Sequence, residues 1–214
     1  MKKFVVAVLI FCVAFTALHA QHAGEWGAGG RLGPVFGFHS PSAFLKNEFG
    51  SGDSLINFNF AAFLNYAFVD RLSVQGELNF MISQGMKWSM WGWTAEGTYS
   101  SLDIPILIKY AFIDDPLRVG ILGGLHLSFP LGKVKFSYSE GGYTETQEFD
   151  SEGISFGLTA GGFLGYPLGP GRLIGDLRFI FDLATVRMKF PGSSSEDTLT
   201  RRGLAIGVGY EFSF

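Results

Sequence analysis

Apolar and polar residues alternate along eight stretches of the chain, with the two-residue period of a β-strand that turns one face to an apolar medium. In the clearest stretch Ile56, Phe58, Phe60, Ala62, Leu64, Tyr66 and Phe68 share one face, and Asn57, Asn59 and Asn65 share the other. The next sets Leu72, Val74, Leu78, Phe80 and Ile82 against Ser73, Gln75, Glu77 and Asn79. The fourth sets the even residues of 102–112 against Asp103 and Lys109, and the fifth sets the odd residues of 117–129 against Arg118, His126 and Ser128. Ile154, Phe156, Leu158 and Leu164 then oppose Ser155 and Thr159, and Leu173, Leu177, Phe179, Phe181 and Leu183 oppose Asp176, Arg178 and Asp182. The last stretch sets Leu204, Ile206, Val208, Tyr210, Phe212 and Phe214 against Glu211 and Ser213. The first, over 26–38, is glycine-rich, with Leu32, Phe36 and Phe38 opposite Arg31.

The apolar faces carry no charge. The polar faces carry Arg31, Glu77, Asp103, Lys109, Arg118, Asp176, Arg178, Asp182 and Glu211. A soluble sandwich turns its apolar faces inward, but these faces are too wide and too aromatic to close on themselves. A membrane barrel turns them to lipid and encloses the charges. Connections alternate short (69–71, 113–116, 167–171) and long (39–54, 84–98, 130–152, 187–201), as an even-stranded barrel with both termini on one side requires. Tyr66, Phe68, Tyr110, Phe112, Tyr166 and Phe214 stand beside the short turns, where an aromatic girdle belongs. The expected fold is all-β, an eight-stranded antiparallel up-and-down transmembrane β-barrel.

Composition sharpens this picture. Charged residues are 16% of the chain, against about 25% in ordinary soluble domains. The chain holds 30 glycines and 23 phenylalanines and is 47% hydrophobic, which excludes a disordered chain and argues against a helical one. Lys2 and Lys3 before an uncharged run to Leu18, with Ala20 at its end, read as a secretory signal over 1–20, leaving a single domain over 21–214. Cleavage takes the basic residues from 16 to 14 against 19 acidic ones, a mature charge of −5, with no basic footprint for nucleic acid. Cys12 lies in the removed part, so no disulfide is expected.

Two motifs carry a family resemblance. The ending Gly209-Tyr-Glu-Phe212-Ser-Phe214 resembles the C-terminal signal that the insertion machinery of bacterial outer-membrane barrels reads. Leu102-Asp-Ile-Pro105-Ile-Leu-Ile-Lys109-Tyr110, followed by Gly120, Gly123 and Gly124, resembles the fourth and fifth strands of the PorT-like outer-membrane β-barrel family, within the wider group of OmpA-, OmpX- and OmpW-like barrels. The resemblance implies an eight-stranded barrel in the bacterial outer membrane and implies no reaction.

An eight-stranded barrel is just wide enough for its own side chains to fill it. Two readings of the interior therefore stand: a plug knitted by ion pairs, or a narrow polar path or pocket. Inward Gly27, Gly29, Gly33, Gly37, Gly207 and Gly209 leave space for large neighbours or for a ligand. Pro105 removes one ladder donor, which marks either a tolerated kink or a bulge with a small lateral opening. His126 and Ser128, with Glu140 as a third member, resemble the His-x-Ser pair of lipid A deacylases, but the alternation points them away from lipid. Trp88, Trp91 and Trp93 form a cluster suited to gripping a surface ligand or partner, or else to packing among themselves and anchoring in headgroups.

The third long connection has strand-forming residues on both sides of Glu140-Gly141-Gly142, and Lys133 and Lys135 can face Glu145 and Glu148. An ordered hairpin is expected there, against the alternative of an unstructured loop. No cofactor or metal set is expected. The function read from these features is a non-enzymatic outer-membrane protein acting through its extracellular loops. Its partners are outer-membrane lipids, the insertion machinery and a surface ligand. A transporter of small or apolar solutes and a lipid-modifying enzyme are the alternatives.

Overall fold

The computed structural model describes residues 23–40, 53–90, 93–114, 116–183, 186–189 and 196–214. The expected secretory signal over 1–20, most of the first long connection and Trp91 lie outside them. The strands are β1 (Trp26–Ser40), β2 (Asp53–Ser54), β3 (Ile56–Val69), β4 (Leu72–Met90), β5 (Trp93–Asp114), β6 (Arg118–Glu140), β7 (Tyr143–Glu152), β8 (Ser155–Leu168), β9 (Gly171–Asp182), β10 (Val186–Lys189) and β11 (Glu196–Ser213).

Antiparallel pairing runs β1–β3–β4–β5–β6–β8–β9–β11 and returns from β11 to β1, a closed ring of eight. Reciprocal backbone bonds between Trp26 and Phe214, at 3.0 and 2.8 Å, tie the closing seam. The other segments prolong ring strands. Lys133 pairs with Asp150 in the same register in which Ser128 pairs with Ser155, so β7 continues β8 across the break at Gly153 (φ 106°). β10 continues β9 in the same way, and β2 prolongs β3 beside β4. The three short turns stand where the alternation placed them.

Burial follows the alternation with the polarity of a membrane barrel. Phe58 is 62% exposed and Leu64 55%, whereas Asn57, Asn65 and Asp103 are exposed by 2% or less. In water that arrangement is inverted, since apolar area left in contact with water forfeits roughly 25 cal/mol per Å². Against hydrocarbon it is the stable one. Trp26, Tyr66, Phe68, Tyr110, Tyr166 and Phe214 are prominent near the end bearing the short turns, and Trp26 packs on Tyr66 at 4.9 Å.

β5 and β6 run for 22 and 23 residues, about twice what a bilayer crossing needs. The surplus rises on the side of the long connections. The second and fourth long connections are therefore shorter than the sequence suggests. Residues 84–98 are mostly paired strand up to Met90 and Trp93, and residues 187–201 are strand apart from 190–195, which lie outside the described residues. The third connection is the expected hairpin: β6 and β7 pair from Lys133–Asp150 to Glu140–Tyr143, with Gly141 and Gly142 both at positive φ (57° and 90°) in the turn. A bulge sets the orientation of this extension. Ser83 takes φ 53°, the β4–β5 register shifts between Met81 and Gln84, and the inward positions of β4 change from odd to even numbers.

Candidate functional site: the closed interior and the extracellular sheet

All nine charges assigned to the interior are buried, none more than 8% exposed. Arg172 and Arg201 join them, also buried. With Asp114 at the rim, the described residues place six positive side chains (Arg31, Lys109, Arg118, Arg172, Arg178, Arg201) beside six negative ones (Glu77, Asp103, Asp114, Asp176, Asp182, Glu211).

The middle of the barrel is organised on Glu77. Arg178 Nη1 donates to both of its carboxylate oxygens, at 2.8 and 2.9 Å, and Arg31 Nη2 donates to Oε2 at 3.2 Å. Asp176 accepts from Arg178 Nη2 at 3.0 Å, and its other carboxylate oxygen lies 2.8 Å from Arg178 Nε as an ion pair. Gln75 donates to Glu77 and accepts from Lys109 Nζ at 2.9 Å, and the same ammonium lies 4.6 Å from the centre of the Phe163 ring. Towards the end bearing the long connections Arg201 joins Asp103 at 2.8 Å and Asp182 at 3.1 Å and donates to Gln84 at 3.0 Å. Ser101 and Ser128 donate to Asp103. At the rim bearing the short turns Arg118 meets Asp114 at 3.2 Å and Asn65 donates to Glu211 at 2.9 Å. Two small apolar layers, Val35–Met81–Ile180–Ala205 and Leu107–Ala111–Leu122–Phe163, fill the space between the polar groups.

At Gly29, Gly33, Gly207 and Gly209 neighbouring atoms occupy the space that a side chain would take. A Cβ on Gly29 lies 2.4 Å from Phe63, one on Gly120 lies 2.8 Å from Phe163, and one on Gly207 lies 2.8 Å from Asp176. A cavity between Arg31 and Arg178 on one side and Asp103, His126 and Thr159 on the other has room for about one water molecule. Pro105 lines it and pairs opposite His126 on β6, while on the β4 side pairing stops at Gly76–Ile106 and resumes in the same register at Asn79–Asp103, so it marks a local gap in the ladder and no register shift.

His126 and Ser128 do not form a triad with Glu140. Nε2 of His126 donates to Asp182 at 2.8 Å, as a carboxylate can only accept, and Nδ1 lies 3.1 Å from Thr159 Oγ1. Ser128 bonds Asp103 instead, and Glu140 stands at the tip of the β6–β7 hairpin.

Of the tryptophan cluster, Trp88 is turned inward by the Ser83 bulge and is 5% exposed, so it is a core residue rather than a surface one. Met86, Trp88, Ala95, Tyr99 and Val134 form an apolar core above the polar interior, flanked by Trp93, Phe136 and Phe149. Trp93 is half-buried and packs on Tyr138 at 5.6 Å. The Tyr138 hydroxyl donates to Glu140 at 2.8 Å, which pushes its pKa up. The opposite face of this sheet is polar, with Lys133 3.8 Å from Glu148. At the C-terminus Gly209 admits the close approach of Gly30 and Arg31 from β1, Phe212 packs on Tyr210 at 4.7 Å, and Phe214 faces outward at the girdle.

Arg172 and Arg201 were legible by parity: even positions of β9 and odd positions of β11 face in, and both residues keep that rule. Arg172 stands directly after the short turn and Arg201 at the end of the fourth long connection, where alternation alone does not set the strand limit.

A closed ring of eight strands, apolar outside and ion-paired within, defines an integral outer-membrane barrel. Residues 4–214 match the outer membrane protein beta-barrel domain, and the chain belongs to that family, whose place is the bacterial outer membrane. OprG from Pseudomonas aeruginosa is similar in fold at TM-score 0.56 and 11% identity, over 92% of this chain and 99% of that one. A major outer membrane protein from Thermus thermophilus is similar at TM-score 0.52 and 15% identity, over 90% of this chain and all of that one, 100%. No curated protein sequence matches the chain.

Proposed function

We propose that this barrel is a non-enzymatic surface protein whose interior is a structural plug and whose working part is the extracellular sheet built from β4, β5, β6 and β7. The observation that carries this reading is the burial of the interior charges among ion-pair and hydrogen-bond partners, with room for about one water molecule in the cavity between Arg31, Arg178, Asp103 and His126. A cavity of that size at this level of the barrel is too small for a solute of metabolite size. The placement of His126 and Ser128, buried and bonded to other partners, speaks against lipid chemistry. The apolar belt has outer-membrane lipid as its partner, and Gly209, Phe212 and Phe214 meet the insertion machinery during assembly. A surface ligand is taken by the extracellular sheet.

The water-sized cavity favours one runner-up, a narrow path for very small solutes. Current through planar bilayers holding the purified protein separates the two. The plug reading expects no discrete conductance steps above the bare bilayer at neutral pH. Regular steps that scale with protein amount and persist after repurification establish the path and end the plug reading.

A further inference from the structure

The extracellular sheet sorts its charges by face. Directly opposed residues of an antiparallel pair share a face, and the register puts Phe136 with Gln147, Tyr138 with Glu145, Glu140 with Tyr143 and Trp93 with Glu140 on the side of the buried Val134 and Trp88. The other side carries Lys87 opposite Glu96, Lys133 opposite Asp150 and Lys135 opposite Glu148, a ladder of balanced pairs. The first side is thus apolar at its base and aromatic and acidic at its apex. Among the described residues of the sheet its only charges are Glu140 and Glu145. Tyr143 is 86% exposed there, and Tyr138 and Trp93 are partly exposed beside it. Both carboxylates are held: Tyr138 donates to Glu140 at 2.8 Å and Gln147 to Glu145 at 3.2 Å.

We propose that this aromatic and acidic apex docks a cationic segment of a partner protein, with Lys or Arg side chains over the Trp93, Tyr138 and Tyr143 rings and paired to Glu140 and Glu145. A ring face attracts a cation through its quadrupole, and adjacent carboxylates add charge complementarity. The same carboxylates repel phosphate- or sulfate-bearing glycans and lipid headgroups, so a basic polypeptide is the occupant that fits. Its backbone lies extended across the sheet apex, and no covalent step is involved. The inference rests on the surface-protein reading and names the partner chemistry.

The test uses the full barrel in nanodiscs and two short unstructured peptides, one alternating Gly with Lys and Arg, the other alternating Gly with Glu. Calorimetry is expected to show binding of the basic peptide alone, weakening as salt is raised. The double variant Glu140→Gln, Glu145→Gln is expected to bind about tenfold more weakly and Tyr143→Ala about threefold more weakly. Glu148→Gln with Asp150→Asn removes the same charge from the opposite face and is expected to change affinity by less than about twofold. Equal losses from the two double variants, binding of the acidic peptide, or no binding of either peptide overturns the proposal. None of these outcomes opens the barrel, so the plug reading fails only on the conductance measurement.

Discussion

Glu77→Ala is expected to cost about 3–5 kcal/mol of barrel stability, the loss typical of breaking a buried ion pair by removing one partner. Glu77 is 3% exposed and accepts from Arg178 twice, from Arg31 and from Gln75. Without it two guanidinium groups face each other in a closed lumen, with Asp176 as the nearby carboxylate for both. Lys109 also loses the charge that its Gln75 link connects it to. The size of the effect comes from desolvated charge rather than from lost contacts, and this yields a control. Glu77→Met combined with Arg31→Met leaves Arg178 and Asp176 as a matched pair and is expected to recover most of the loss. Urea unfolding of the protein in lipid vesicles, followed by tryptophan emission, measures both. A loss below about 1 kcal/mol for Glu77→Ala contradicts the assignment of Glu77 as the hub.

Arg substitutions on the two faces are expected to differ in kind. Leu64, 55% exposed near the middle of β3, faces lipid, and Leu64→Arg is expected to cost about 2–4 kcal/mol. Leu122 is 5% exposed, packs with Leu107, Ala111 and Phe163, and lies opposite Lys109. Leu122→Arg forces a larger side chain into a filled layer and adds a seventh cation to a balanced set, so its cost is expected to exceed that of Leu64→Arg. Leu122→Met keeps volume and polarity and is expected to cost less than about 1.5 kcal/mol. The same urea titrations test all three. Equal tolerance of Arg at both sites contradicts the assignment of faces.

Strand number, order and facing were legible because a two-residue period over ten or more residues is a long signal and because lipid on one side leaves each outward face free of charge. The ends of the strands were less legible. Arg201 follows the inward parity of β11 but sits beside Arg202, and two adjacent cations read as loop when a membrane segment is sought. In the fold Arg202 turns outward over the Phe181 ring at 4.8 Å and Arg201 turns in to two aspartates. The inward turn of Trp88 is not legible, because nothing in the sequence around Ser83 marks a bulge: Ser is not a residue that usually takes positive φ. One inserted residue moves every later side chain of β4 to the other face. The partners of the buried charges were out of reach for a different reason. Alternation tells which way a side chain points, but the stagger between strands decides that Glu77 meets Arg178, 101 positions away. The hairpin was readable because Gly141-Gly142 and the flanking β-branched and aromatic residues act locally. Its apolar support was not, since Trp88, Tyr99 and Phe149 come from three separate stretches.

The paired sheet of β4, β5, β6 and β7 continues the barrel in order beyond the apolar belt. Amide hydrogen exchange of the folded protein in bilayers, read residue by residue over 84–99 and 132–150, tests this most directly. Slow exchange is expected on both arms of the β6–β7 hairpin and along the β4–β5 extension, with fast exchange confined to the Gly141–Gly142 turn. Fast exchange throughout 132–150, with protection ending where the apolar belt ends, contradicts it.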